Sequence, residues 1–242
     1  SNVVFNFGAA TTLTLPDNKT FNTTIGTGTI TSPGAGSADI TIGGGSGTVT
    51  FTSSGAIGSG TDRLLTAVDS LGASATSGNV FITDAGALSI TGAFNVGAAN
   101  FSLSAGGAVT QTAIITAAGL ELLGTGPFTL NLANVVTTLA ASVTEAIQFT
   151  NNGALTVGTV NTVGITTSDD NVTLAVGANL LTVSQAIGAG AGSVSLTSNT
   201  IDIAAAVTGN GGISLIPDAN ATTVALNDAT GTFSLTAAEL SN

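Results

Sequence analysis

Most of the residue types that do chemistry in proteins are missing from this chain. It has no His and no Cys. That removes Ser–His and Cys–His nucleophile pairs, imidazole proton transfer, disulfides and the two favoured zinc ligands. The acids number 13, against two cations, Lys19 and Arg63. Asp169 and Asp170 are the one adjacent acidic pair, and Asn171 follows them. Three oxygen-bearing side chains in a row suit a hard cation, so Asp169 and Asp170 are the candidate metal ligands and calcium the candidate ion. A solvated turn before a strand accounts for the same residues and is the preferred reading. "GGGSGTVTF" at 43–51 resembles a calcium-binding nonapeptide, but it has Thr48 where that repeat needs Asp, and it occurs once. It reads as a turn. No Gly-rich stretch runs into Lys-Ser or Lys-Thr, so there is no phosphate loop.

Two carboxylates suffice for glycoside hydrolysis, so a carbohydrate-active β-helix is a third reading. Sugar sites also need basic or aromatic groups, and here there are two cations, ten Phe, no Trp and no Tyr. Several Phe fall on inward strand positions, as in "NFSLS" (100–104) and "GTFSL" (231–235), where they serve packing. The expectation is a protein that is not an enzyme, with no catalytic or cofactor-binding residues.

Net charge is −11. Two cations cannot neutralise a row of phosphates, so neither nucleic acid nor an anionic membrane surface is an expected partner. No stretch reaches the ~18 apolar residues of a membrane helix, and without Trp or Tyr girdles a membrane barrel is not expected either. Mean hydropathy is +0.55 and only 6% of residues are charged, the reverse of a disordered composition. A chain with no initiator Met and no basic-then-apolar leader reads as a mature chain or a fragment.

The elements that hold these residues are short alternating runs: "TVTFT" (48–52), "PFTLN" (127–131), "SVSLT" (193–197), "GISLI" (212–216). Each alternates apolar and polar residues between Gly, Asn, Asp or Ser, which is the strand signal with turn punctuation. Val80, Phe101 and Leu120 open three such runs, 21 and 19 residues apart. Val172, Val194, Ile213 and Phe233 open four more, separated by 22, 19 and 20, and Leu88, Val109 and Phe128 form another series. A period near 20 residues predicts an all-β parallel β-helix, a β-solenoid in which each coil stacks on its neighbours at about 4.8 Å. At that period the chain makes about 12 coils and a single rod over 1–242. Asn79, Asn100 and Asn171 precede strands, where Asn can take a left-handed conformation or stack in amide ladders.

A longer repeat lies on top. "NVFITDAGALSI" (79–90) returns as "NVTLAVGANLLTV" (171–183), pairing Asn79 with Asn171, Leu88 with Leu181 and Gly72 with Gly164. This implies a duplicated unit of about 92 residues, 64–155 and 156–242. One stretch reads differently. "TDRLLTAVDSLG" (61–72) offers Asp62 as an N-cap, apolar Leu64, Leu65, Val68 and Leu71 at helical spacing, and Gly72 as a stop, so a short helix is expected. "SVTE" (142–145) and "TAAE" (236–239) match capping boxes. Thr-x-Thr runs raise ice binding, but a flat ice-binding face needs Thr recurring once per coil, and the expected outward residues mix Ser, Thr, Asn, Glu and Ala.

The strings "NVTLAVGANLLTVSQAIGAGAGSVSLTSNTIDIAAAVTG" and "NDATGTFSLTAAEL" resemble the repeat regions of filamentous-haemagglutinin-like, β-strand-repeat bacterial exoproteins. The likeness covers 79–242 well and the N-terminal third more loosely. It implies a right-handed parallel β-helix, extracellular or at a bacterial cell surface, serving as adhesin shaft, sheath or matrix. No secretion domain with asparagine-rich motifs is evident, and the family has no shared catalytic residues to carry over. The combined expectation is an extracellular structural rod that self-associates end to end or laterally into fibres. The alternative is an adhesin segment binding a surface or carbohydrate ligand, with the 61–72 stretch around Arg63 as the patch.

Overall fold

The protein is described from a computed structural model, which places residues 48–219 throughout. It also places the strands Val3–Val4, Leu13–Leu15, Lys19–Thr23, Ile30–Thr31 and Ile40–Ile42 before them, and Val224–Leu226 and Phe233–Leu235 after. The fold is an all-β parallel solenoid, with no helix among the described residues. The chain divides into two compact units, Ser1–Gly126 and Pro127–Asn242.

In the first unit one column of parallel strands runs Lys19–Thr23, Thr48–Ser53, Ser70–Ala75, Leu88–Asn95. A second runs Leu13–Leu15, Ile40–Ile42, Leu64–Ala67, Val80–Asp84, Asn100–Ala105, Ile115–Gly124. The expected series is in register: Val80 lies beside Phe101, and Phe101 beside Leu120. Leu88 likewise pairs with Val109. The first coils are longer than 20 residues, since Lys19 pairs with Val49 and Ile40 with Thr66, 30 and 26 positions on. A solenoid tolerates such longer connections because loop closure costs little per added residue.

In the second unit each coil has three strands. The first column is Phe128–Val143, Ile147–Asn151, Val172–Ala175, Val194–Thr197, Ile213–Ile216. The second carries Leu155–Val157, Leu180–Val183 and Thr200–Ile203, and the third Ile165–Thr166, Ile187–Gly188 and Val207–Thr208. The 16-residue strand Phe128–Val143 starts all three columns by running through the corners. Val172, Val194 and Ile213 stack as expected. Phe233 does not continue that ladder. It pairs with Val224 in a separate two-stranded sheet.

Stacking buries the apolar set: Phe51, Phe101, Leu103, Phe149, Leu174 and Leu196 are all at most 1% exposed. Each such side chain contributes about 1.5–3 kcal/mol relative to exposure. Phe94 and Phe101 stack with ring centroids 4.3 Å apart.

The helix expected over 61–72 is absent. Leu64–Ala67 and Ser70–Ala75 are strands, and burial alternates from Leu64 to Val68 with period 2, not 3.6. Neighbouring coils supply ladder partners on both sides, to Ile40–Ile42 and Val80–Asp84, and such tertiary bonding overrides a helical spacing. Gly72, read as a helix stop, sits inside its strand against Gly92, whose Cα would lie 2.9 Å from an added Cβ. Asp62 closes a turn with Ser59. Of the two capping-box matches, Ser142 and Val143 end the long strand, while 236–239 lie outside the described residues, as do 43–47.

Candidate functional site

Among the described acids Asp84 and Glu121 are buried in the stack, whereas Asp62, Asp69, Asp169, Asp202 and Asp218 are exposed. Beside the strand Val80–Asp84 lies the turn 55–63, bridged to its edge by Phe81 N–H to Ile57 O at 2.7 Å and by Ile57 N–H to Asn79 O at 3.0 Å. Gly58 makes this approach possible. Its φ is +66°, and an added Cβ would sit 2.4 Å from the Phe81 carbonyl oxygen. From the end of that turn Arg63 reaches across two further coils. Its Nε donates to Thr83 Oγ1 at 2.8 Å and its Nη1 to Ser102 Oγ at 2.9 Å. Nη2 donates to the carbonyl oxygens of Ile82 and Ser102, both at 2.8 Å. The guanidinium carbon stands 5.8 Å from the centroid of Phe81. Ser102 passes the bond onward, its hydroxyl donating to Glu121 Oε2. Glu121 is 2% exposed and Ser102 fully buried. Burial lowers the Arg63 pKa from its usual value, and the Glu121 charge opposes that shift.

This is an inter-coil clamp in which Ser102 has no access to a substrate. The ligand patch expected around Arg63 loses its cation, because the guanidinium is spent on Thr83, Ile82 and Ser102 of the protein itself.

Asp84 is the second buried ionisable group, 1% exposed. Its Oδ2 accepts from Thr66 Oγ1 at 2.7 Å and Val68 N at 3.1 Å, and its Oδ1 from Gly86 N at 3.0 Å. Burial raises its pKa, the three hydrogen bonds oppose that, and the Asp69 charge adds to it. A pocket of about 350 Å³ opens here, lined by Ala67, Val68, Asp69, Asp84, Ala85, Gly86 and Ala87. Both Asp84 oxygens are engaged by the protein's own groups, and the exposed Asp69 is the second carboxylate on the pocket wall.

In the second unit corner amides do the same work. Asn134 Nδ2 donates to the carbonyls of Leu130, Leu132 and Thr150, and Asn151 bonds both the N–H and the C=O of Val136 at 2.9 Å. Asn134 and Asn151 face each other across adjacent coils.

Asp169 and Asp170 lie in a turn. Asp169 is exposed, has φ +70° and accepts from Ala191 N at 2.8 Å, one coil on. Asp170 offers its backbone carbonyl to Thr167 Oγ1. Among the described residues no group of three His, Cys, Asp or Glu converges on a point that could hold a metal. The same cap recurs at Asn79, whose Oδ1 accepts from Asn100 N at 3.0 Å, and at Asn171, which accepts from Ser193 N at 2.8 Å. So Asn79 and Asn171, aligned by the 92-residue repeat, do one job in their respective units. They do so through the amide. The left-handed conformation is taken, among described non-glycine residues, by Asp169 alone. Thr138, Thr156 and Thr182 stand in outward register over three coils, more order than the sequence suggested, until Asp202 ends the row.

No described helix is long and apolar enough to cross a membrane. Compared with known proteins, the chain matches no family model, no curated protein and no solved structure.

Proposed function

We propose that this chain is a structural β-solenoid module, displayed outside the cell as part of a fibre, sheath or matrix, and that copies of it associate with one another. The observation that carries the reading is the fate of the buried polar groups. Arg63, Glu121, Asp84, Asn134 and Asn151 each bond across coils or close a turn, so their free energy goes into cohesion of the stack. The low charge of the chain, 6% of residues, and the likeness of the repeats to bacterial exoproteins support display at a cell surface. An adhesin with its ligand at Arg63 has less support, because that side chain points into its own coils.

Electron microscopy of the purified chain over a concentration series tests the proposal. Particles that lengthen or thicken with concentration are expected. Particles of constant size would refute self-association, and turnover of a polysaccharide would replace the structural reading with an enzymatic one.

A further inference from the structure

Among the described residues the apolar column of the second unit stops without a lid. Phe128, Ile147, Val172 and Val194 are each fully buried, yet Ile213, next in the same ladder, is 48% exposed. Leu215 is half-exposed above the fully buried Leu196, and Ile216 is 43% exposed. The backbone edge is open as well. Val194 N–H bonds to Gly212 O and Ser198 N–H to Ile216 O, so the even-numbered residues of this strand face the coil below. In a parallel ladder the N–H and C=O of Ile213 and Leu215 then point the other way, where no strand is paired with them among the described residues. The chain's own last described strand, Phe233–Leu235, lies against Thr200–Ile203 of the second column and pairs with Val224–Leu226, so it leaves this edge alone. An uncovered apolar strand edge is a template for a further parallel strand.

The first unit carries the complementary edge. The strand Lys19–Thr23 begins its column and pairs, among described strands, with Thr48–Ser53 alone. Its register sets Lys19 beside Val49 and Phe21 beside Phe51, and Val49 and Phe51 are both fully buried. In a molecule of net charge −11, it also holds one of only two cations, while residues 199–219 bring Asp202 and Asp218 and no base. This is the edge that repels the acidic end least.

We propose that the Ile213–Ile216 edge of one copy pairs in parallel with the Lys19–Thr23 edge of a second copy, Leu215 opposite Phe21 and Ser214 opposite Thr20. This rests on the self-association proposed above and names the surface that performs it. Two different edges meeting is a heterologous contact, which leaves a free edge at each end of the pair and so extends beyond a dimer, into a ring or a filament.

Because the chain has no Cys, disulfide trapping reads the contact directly. Neighbouring parallel strands stand about 4.8 Å apart, within disulfide reach. The double variant Thr20→Cys/Ser214→Cys, mildly oxidised, is expected to give a reducible ladder of dimers, trimers and longer species, while each single variant stays monomeric on a non-reducing gel. A disulfide dimer from Ser214→Cys alone would mean that two like edges meet, and would overturn the proposal. Leu215→Pro removes an outward N–H without touching the bonds to the coil below. It is expected to abolish assembly with the β signal in circular dichroism retained. Wild-type chain that stays monomeric at every concentration refutes self-association and this contact with it. Wild-type assembly that persists in Leu215→Pro, with no ladder from the double variant, refutes this contact alone.

Discussion

Replacing Arg63 by Met keeps a long apolar stem and deletes the fork that ties three coils together. Four hydrogen bonds vanish, to Thr83, Ile82 and twice to Ser102, and Glu121, 2% exposed, keeps Ser102 but loses the positive charge beyond it. Removing one partner of a buried pair costs about 3–5 kcal/mol, because the other charge stays behind uncompensated. Arg63 is half-buried, so water recovers part of this, and about 2–3 kcal/mol is the expected loss. Urea unfolding followed by circular dichroism measures it as a fall in the transition midpoint. Hydrogen exchange should locate it, with faster exchange over 80–84 and 100–105 and little change near 194–203, since a solenoid transmits stability from neighbour to neighbour. Glu121→Gln in the Arg63→Met background should cost almost nothing further, giving a coupling of roughly 1–2 kcal/mol in the double-mutant cycle. An Arg63→Met loss below about 0.5 kcal/mol, or strict additivity with Glu121→Gln, would refute the clamp.

Two further substitutions probe the buried polar groups. Burial holds the Asp84 pKa above its unfolded value, so the contribution of this group to stability is fully present below the unfolded pKa and is lost as pH rises through the folded one. The stability difference between wild type and Asp84→Asn, followed by urea titration from neutral pH down to about 3.9, should therefore shift in favour of wild type on acidification, and a difference independent of pH would contradict this. Ser198 is fully buried and its hydroxyl has no hydrogen-bond partner among the described residues, so Ser198→Ala should be neutral or stabilising by up to about 1 kcal/mol in thermal or urea unfolding, and a clear loss would show that the hydroxyl is satisfied.

What the sequence made legible was whatever recurs. Val80, Phe101 and Leu120 could be placed in one ladder from their spacing alone, because inward positions must be apolar in every coil and turns punctuate each strand. The misreadings lie where the chain departs from repetition. The 61–72 stretch has apolar residues at both helical and strand spacing, and only the neighbouring coils decide between them. Arg63 looked like a surface cation because its partners, Thr83, Ser102 and Glu121, lie 20 to 58 residues away. A signal was present. "VFI" at 80–82 does not alternate and is buried on both faces, so the strands stacked on it must bury polar residues at the position of Phe81, which is where Ser102 and Glu121 fall. A carboxylate there requires a partner, and the chain has two cations from which to choose.

The same departures bear on how the chain selects one register. Coils that repeat their apolar residues can exchange neighbours at little cost in burial, so apolar packing alone discriminates poorly between the native stack and one slipped by a coil. The buried polar groups recur far less than the apolar ones. In the first unit Ala105 occupies the position of Asp84 one coil on, so a slip there would leave Thr66 Oγ1 and Val68 N–H facing a methyl group. In the second unit the coil above Thr150–Asn151 continues Ala175–Val176, and a slip would set Val176 where Asn151 bonds both backbone groups of Val136. Each orphaned buried donor or acceptor costs about 1–3 kcal/mol, a penalty that no apolar ladder imposes. Asp84 and Asn151 therefore bear on which register folds, because the next coil puts Ala105 and Val176 in their places.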